Sequence, residues 1–143
     1  PVIMIVVSSL ALGKAMTITQ SSDVIAHQFV SLTAGASPIV ILSGLILLMA
    51  VFTNVVSNNA AAVIGTPIAV SIATSLNVDP EPFVLAVLFG ANMSYATPMA
   101  YKTNLLIMSA GNYTFSDFMR VGIPLTILMW LSYTLLLPLI YNL

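Results

Sequence analysis

The sequence has no cysteine and one histidine, His27, in 143 residues. Disulfides and thiolate metal sites are therefore excluded, and a histidine metal cluster cannot be built. Formal charge is almost absent too. Three basic and four acidic residues make up 5% of the chain and leave a net charge of -1. A soluble domain carries about 25% charged residues, so this chain cannot cover itself with a water-facing surface. It has no basic patch or charge run, which excludes nucleic acid as a partner. What remains is apolar: 59% of residues are hydrophobic and the mean hydropathy is +1.09. The composition predicts an all-α polytopic membrane protein held in a lipid bilayer, multi-pass in an inner or plasma membrane.

One polar stretch organises the rest. Thr53-Asn54-Val55-Val56-Ser57-Asn58-Asn59 holds two hydroxyls and three amides with no formal charge. Apolar arms flank it, Pro38 to Phe52 with 15 residues and Ala60 to Leu76 with 17. As helices these arms reach only ~22 to 25 Å. A bilayer core is ~30 Å thick and takes about 20 residues to cross. Residues 37–76 thus read as a re-entrant helical hairpin whose tip stops at membrane depth, beside protein or a water-filled cavity. The pattern also fits two thin or tilted spanning helices joined by an aqueous turn.

Before the hairpin, residues 1–36 read as the end of a transmembrane helix followed by an interfacial amphipathic helix. Val2 to Gly13 is apolar apart from Ser8 and Ser9, and Lys14 can snorkel toward headgroups. Thr17 to Ser22 is a polar joint. Ser21 or Ser22 is expected to cap the next helix, with Asp23 in its first turn. Ile25, Phe29 and Leu32 recur there at i, i+4 and i+7, the stripe of a helix lying in the interface plane. His27 reads as a solvated residue of that helix, with a proton relay as the alternative. In the hairpin, Pro38 suits a helix start. Ala60, Ala61, Ala62, Gly65 and Ala69 offer a small face for packing against the first arm.

After the loop Asn77 to Pro82, residues 81–111 read as one hydrophobic segment interrupted in its middle. Ala96-Thr97-Pro98 and Lys102-Thr103-Asn104 supply the interruption. Proline cannot donate an amide and biases the residue before it away from helical geometry. The expectation is a discontinuous transmembrane helix, whose exposed carbonyls and helix ends suit cations and anionic groups. The alternative is a spanning helix with a proline kink and no ligand. Thr114 or Ser116 is expected to cap residues 116–143, the last transmembrane helix. Counting crossings puts Asp79 and Glu81 on one side and Asp117 and Arg120 on the other. The positive-inside tendency favours the Arg120 side as cytoplasmic.

Thr53, then Ser57-Asn58-Asn59, then Ala96-Thr97-Pro98, then the run from Tyr113 to Pro124, occur in that order. In this combination the whole chain resembles the C-terminal inverted repeat of the divalent anion/sodium symporter family. That family carries sulfate or dicarboxylates with sodium. It has a Ser-Asn-Thr motif at each of two re-entrant hairpin tips, each followed by a broken helix with a Thr-Pro stretch. The chain begins at Pro1 inside an apolar run, without an initiating Met or a basic segment before it. It reads as part of a larger transporter whose other repeat supplies the rest of the site, and the resemblance implies a homodimer.

The resemblance also implies roles. Sodium, the coupling ion, would be held by the Asn58 and Thr53 side-chain oxygens and by the carbonyls of Val56 and Ala96. The substrate would meet Ser57, Asn58 and Asn59, with Thr97 and Pro98 across from them. No other cofactor is implied, and no bond is broken, so the chain is not read as an enzyme. Two departures matter. Asn59 stands where the family has Thr, and the second proline after Thr-Pro is missing while Lys102 lies in that stretch. A lysine at membrane depth is a functional candidate, so Lys102 is expected to lend positive charge to the anion pocket and favour sulfate. The alternatives are a lysine that snorkels to the interface, a sodium-coupled dicarboxylate carrier, and a membrane scaffold or channel subunit that transports nothing.

Overall fold

The computed structural model describes residues 2–33 and 35–142, with only the backbone of Val2, Ile5, Val6 and Ser9. The described residues form seven α-helices and one 3-10 turn, with no strand among them. They are α1 (Val2–Ile18), α2 (Ser21–Leu32), α3 (Pro38–Thr53), α4 (Asn58–Leu76), α5 (Glu81–Ala91), the 3-10 turn Pro98–Ala100, α6 (Lys102–Gly111) and α7 (Phe115–Tyr141). Large apolar side chains are exposed along α1, α6 and α7. On a helical membrane protein such surface faces acyl chains.

Helices α3 and α4 form a hairpin, and α5 lies against both. A four-residue turn, 54–57, joins the arms. Helix α5 leaves the foot of α4 and runs back toward the tip, where Ala91 meets Thr53. It is therefore antiparallel to α4 and parallel to α3. Two glycines permit this close packing. A Cβ on Gly90 would lie 2.6 Å from Met49 Cβ and 2.9 Å from the Ile46 carbonyl oxygen. A Cβ on Gly65 of α4 would meet Met49 of α3 and Val87 of α5 at under 3 Å. The small face of α4 thus packs on α5 as well as on the first arm, because α5 fills the groove between the arms. The core at this three-helix seam includes Leu42, Leu45, Ile46, Ile72, Phe83 and Val87.

Helix α7 crosses α3 and α5 on one side. Trp130 Nε1 donates to the Ser43 carbonyl at 2.9 Å, and the Ser43 and Thr134 hydroxyls are 3.0 Å apart. Phe89 and Tyr133 stack with centroids 4.5 Å apart. At the far end of α7 the Tyr141 hydroxyl donates to Glu81 Oε1 at 2.9 Å. The C-terminal end of α7 and the start of α5 are therefore at one level, and Arg120 is near the opposite end of α7. Thr114 caps α7 through a reciprocal box with Asp117.

Helix α1 ends at Ile18, inside the joint expected over Thr17 to Ser22, which narrows to Thr19 and Gln20. The first third otherwise differs from the sequence reading in two respects. Helix α2 starts at Ser21 after Gln20, whose φ is 54°, and no serine side chain caps it. Its packed face is Ser22 and Ala26 with Phe29 and Val30, so only the middle of the apolar stripe packs inward: Ile25 is exposed and Leu32 is 83% exposed. Ser22 and Ala26 are small enough to let α2 approach α4, where the Ser71 hydroxyl reaches Asp23 Oδ1 at 2.7 Å. Small residues mark contacts in lipid because bulky apolar ones gain nothing there by leaving the acyl chains. The second hairpin arm also differs. Helix α4 has 19 residues and is long and apolar enough to cross a membrane, so arm length alone does not separate a re-entrant hairpin from two crossings.

Candidate functional site

The site lies where the hairpin tip meets the break between α5 and α6. A helix end leaves its last four carbonyls without intrahelical donors, and those of α5 are all accounted for. The Asn92 side chain donates to the Leu88 carbonyl at 2.8 Å. The Asn92 and Met93 amides reach the Phe89 and Gly90 carbonyls at 3.1 and 3.0 Å. The fourth, Ala91, receives the Thr53 hydroxyl from the tip at 2.6 Å.

Thr53 is fully buried, and its Oγ1 is also 2.9 Å from Asn58 Oδ1. A hydroxyl has one proton. Three uncharged oxygens, Thr53 Oγ1, Asn58 Oδ1 and the Ala91 carbonyl, therefore converge with one proton among them. This lone-pair surplus suits a hard cation. No group of three or more Asp, Glu, His or Cys is placed to hold a metal among the described residues. The donor set is thus neutral oxygen.

Beside these oxygens α4 begins. Ser57 is its N-cap, and its Oγ accepts from the Ala60 amide at 3.3 Å. Among the described residues the Asn58 and Asn59 amides have no hydrogen-bond partner. The partial positive charge of a helix N-terminus sits here. Ser57 and Asn59 are exposed and Asn58 is half-buried. Hydroxyl, carboxamide and backbone donors are thus presented next to the oxygen cluster, a combination able to receive an anion.

Residues 92–101 are the break. Thr97 is extended (φ -129°, ψ 146°), as the residue before Pro98 should be. Asn54 joins the break to the tip. Its Oδ1 accepts from the amides of Ala96 and Thr97 at 3.0 and 3.1 Å. Its Nδ2 donates to the carbonyls of Ala50 and Met93 at 2.7 and 3.1 Å. Its own carbonyl accepts the Thr97 hydroxyl at 2.8 Å. From the other side, Asn104 Nδ2 donates to the carbonyls of Ser94 and Thr97 at 2.8 and 3.2 Å.

The structure brings Thr53 and Asn58 together and puts Ala96 and Thr97 against the tip. The Thr97 hydroxyl proton is engaged by Asn54 rather than directed at a ligand. Pro98 is buried in the break, Val56 is half-buried in the turn, and Lys102 is exposed as the first residue of α6. Sequence reasoning assigned no role to Asn54, Asn104 or the Ala91 carbonyl. A signal for the first two was present, because an amide in an apolar setting must find partners for two donors and two lone pairs. The Ala91 carbonyl had none, since a backbone oxygen is selected only by the fold.

Comparison with known proteins gives the family. The chain belongs to the citrate transporter family, whose sequence model matches residues 1–142. It is 42% identical over 93 residues to an uncharacterized transporter of Synechocystis sp., covering 65% of this chain and 15% of that protein. It is 35% identical over 82 residues to sodium/sulfate cotransporter 1 of Chlamydomonas reinhardtii, covering 57% of this chain and 9% of that one. It is 33% identical over 82 residues to sodium-dependent low-affinity dicarboxylate transporter 1 of Caenorhabditis elegans, covering 57% and 14%. These relatives carry transport names, as expected from the resemblance to divalent anion/sodium symporters. The chain spans less than a quarter of the length of the curated relatives it matches.

Proposed function

We propose that this chain, as a member of that transporter family, supplies one half of the binding site of a sodium-coupled carrier of a small divalent anion, with sulfate favoured. The observation that carries the reading is the pairing at the tip. Neutral oxygens with a proton deficit, Thr53 Oγ1, Asn58 Oδ1 and the Ala91 carbonyl, adjoin the N-terminus of α4 with its free Asn58 and Asn59 amides. Sodium sits with Thr53 and Asn58, completed by the carbonyls of Val56 and Ala96. The anion sits against Ser57, Asn58 and Asn59, with Thr97 and Pro98 opposite. Lys102 adds positive charge at the pocket margin.

The tip meets the break in the middle of the 81–111 segment, not either end. That contact supports a re-entrant hairpin more directly than arm length does. Coupling follows from electrostatics. Without sodium a dianion faces only neutral donors in a medium of low dielectric, and each sodium beside it offsets half of its charge. Alternating access then moves hairpin and break together, with the other repeat of a homodimeric carrier closing the site.

Uptake of labelled sulfate and labelled succinate by the full-length protein in proteoliposomes, with and without an inward sodium gradient, tests this. Sodium-driven sulfate uptake that is lost in Asn58→Ala is expected. Lys102→Gln should lower the preference for sulfate over succinate, and unchanged selectivity would remove the charge role. Sodium-driven succinate uptake alone would keep the mechanism and replace the substrate. That second reading draws on the family's citrate description and on the dicarboxylate relative. No sodium dependence for either anion would overturn the coupling.

A further inference from the structure

We infer that Asn54 is a positioning residue: it sets the direction of the two peptide groups flanking Ala96 and so locks the break to the hairpin tip. The peptide group is planar and trans, so its N–H and C=O point opposite ways. No described peptide bond is cis. When Asn54 Oδ1 accepts from the Ala96 amide, the Tyr95 carbonyl must point away from Asn54. When it accepts from the Thr97 amide, the Ala96 carbonyl must do likewise. The first consequence is visible: the Tyr95 carbonyl oxygen is directed at Gly122 of α7.

The carboxamide is suited to this task and its neighbours are not. Asn54 is only 9% exposed. Both its donors and both its lone pairs are used, so a half-turn of the amide would set donors against the Ala96 and Thr97 N–H groups and an acceptor against two carbonyls. One orientation is therefore enforced. The bonds run to two places: α3 through Ala50, and the break through Met93 near its start and Ala96 and Thr97 in its middle. The Thr97 hydroxyl on the Asn54 carbonyl adds another tie between tip and break. Thr53, the neighbouring residue, belongs to the oxygen cluster, so Asn54 transmits the tip's position to the break without itself touching an ion.

The inference rests on the proposed transport reading for its sodium readout only. The full-length carrier with Asn54→Ala or Asn54→Asp is reconstituted, and uptake is measured against sodium concentration. Asp keeps an acceptor for the two amides and loses the amide donors. Partners one shell out from a metal ligand typically affect metal affinity by about 10–100-fold. Asn54→Ala should raise half-saturating sodium by that order while the maximal rate at saturating sodium stays within about threefold, and Asn54→Asp should fall between Ala and wild type. Unchanged half-saturating sodium in Asn54→Ala would overturn the inference.

A second measurement needs no transport. Ala100, in the break, is 4% exposed. A single cysteine there, in a background without other reactive thiols, is labelled with a membrane-impermeant maleimide. Faster labelling when Asn54 is replaced by Ala or Asp supports the lock, and an unchanged rate overturns it. If the wild-type carrier shows no sodium dependence, the transport reading fails and the labelling rate alone decides the role of Asn54.

Discussion

Gly122 is where α7 bears on the break, and replacing it with alanine perturbs that contact with one methyl group. A Cβ at this position would lie 2.6 Å from Ala96 Cα and 2.5 Å from the Tyr95 carbonyl carbon, closer still to the Tyr95 oxygen. Carbon atoms at rest are about 3.5–4.0 Å apart. The break must therefore retreat by roughly 1 Å, and its atoms here are backbone, with no rotamer to relieve the clash. Overpacking of this kind costs about 1–3 kcal/mol. Alanine recovers about 1 kcal/mol through helix propensity. The net loss of stability is small to moderate, but the displacement falls on Ala96 and Thr97, whose amides Asn54 holds. Half-saturating sodium should rise by about tenfold or more, by the same order as loss of a partner behind a metal ligand. Gly44→Ala is the matched control. Its Cβ would meet only the tip of the Phe29 ring at 3.4 Å, the far end of a side chain that can move. Thermal unfolding and sodium-dependent uptake of the two purified variants separate the cases. If Gly122→Ala matches Gly44→Ala in both melting temperature and half-saturating sodium, α7 does not bear on the break at Gly122.

Thr53→Val keeps the shape of the side chain and removes the hydroxyl. The buried Ala91 carbonyl loses its donor, which costs about 1–3 kcal/mol. The rise in melting temperature on adding sodium should shrink more than that produced by a potassium control, and equal shifts in variant and wild type would remove Thr53 from the cation site. Thr114→Ala breaks the reciprocal cap with Asp117 at the start of α7. It should cost about 1 kcal/mol in unfolding while half-saturating sodium stays at the wild-type value, since the cap is outside the tip. A shift in sodium response would mean that the start of α7 communicates with the site.

The turn of the hairpin could be read in the sequence because a short polar run between two apolar arms ends one helix and caps the next. The break was readable because Pro98 dictates the geometry of Thr97, and the α7 cap because Thr114 and Asp117 have the spacing of a capping box. The rest was hidden for reasons of solvent. In water, the stripe Ile25, Phe29 and Leu32 would mark a packed face, but in lipid a bulky side chain is content outside. Of that stripe only Phe29 packs inward, and the packed face continues from it through Ala26 and Ser22, which side-chain bulk does not mark. Asn54 was hidden differently. It is one of three amides in the tip, and only the return of residues 93–97 to the same place separates it from Asn58 and Asn59. The Ala91 carbonyl belongs to a residue with no polar side chain at all.

The seven residues of the tip carry no formal charge, and this has an electrical consequence under the proposed function. Moving one elementary charge through 100 mV of membrane potential involves about 2.3 kcal/mol. A tip built from hydroxyls, carboxamides and carbonyls crosses the field, when empty, without carrying charge of its own. Within the tip, voltage then acts on the cargo alone, and Lys102 at the pocket margin returns with the empty carrier and cancels over a full cycle. Each sodium ion beyond those that balance the anion would appear as one positive charge moved inward, so the current per anion would count the coupling ions directly.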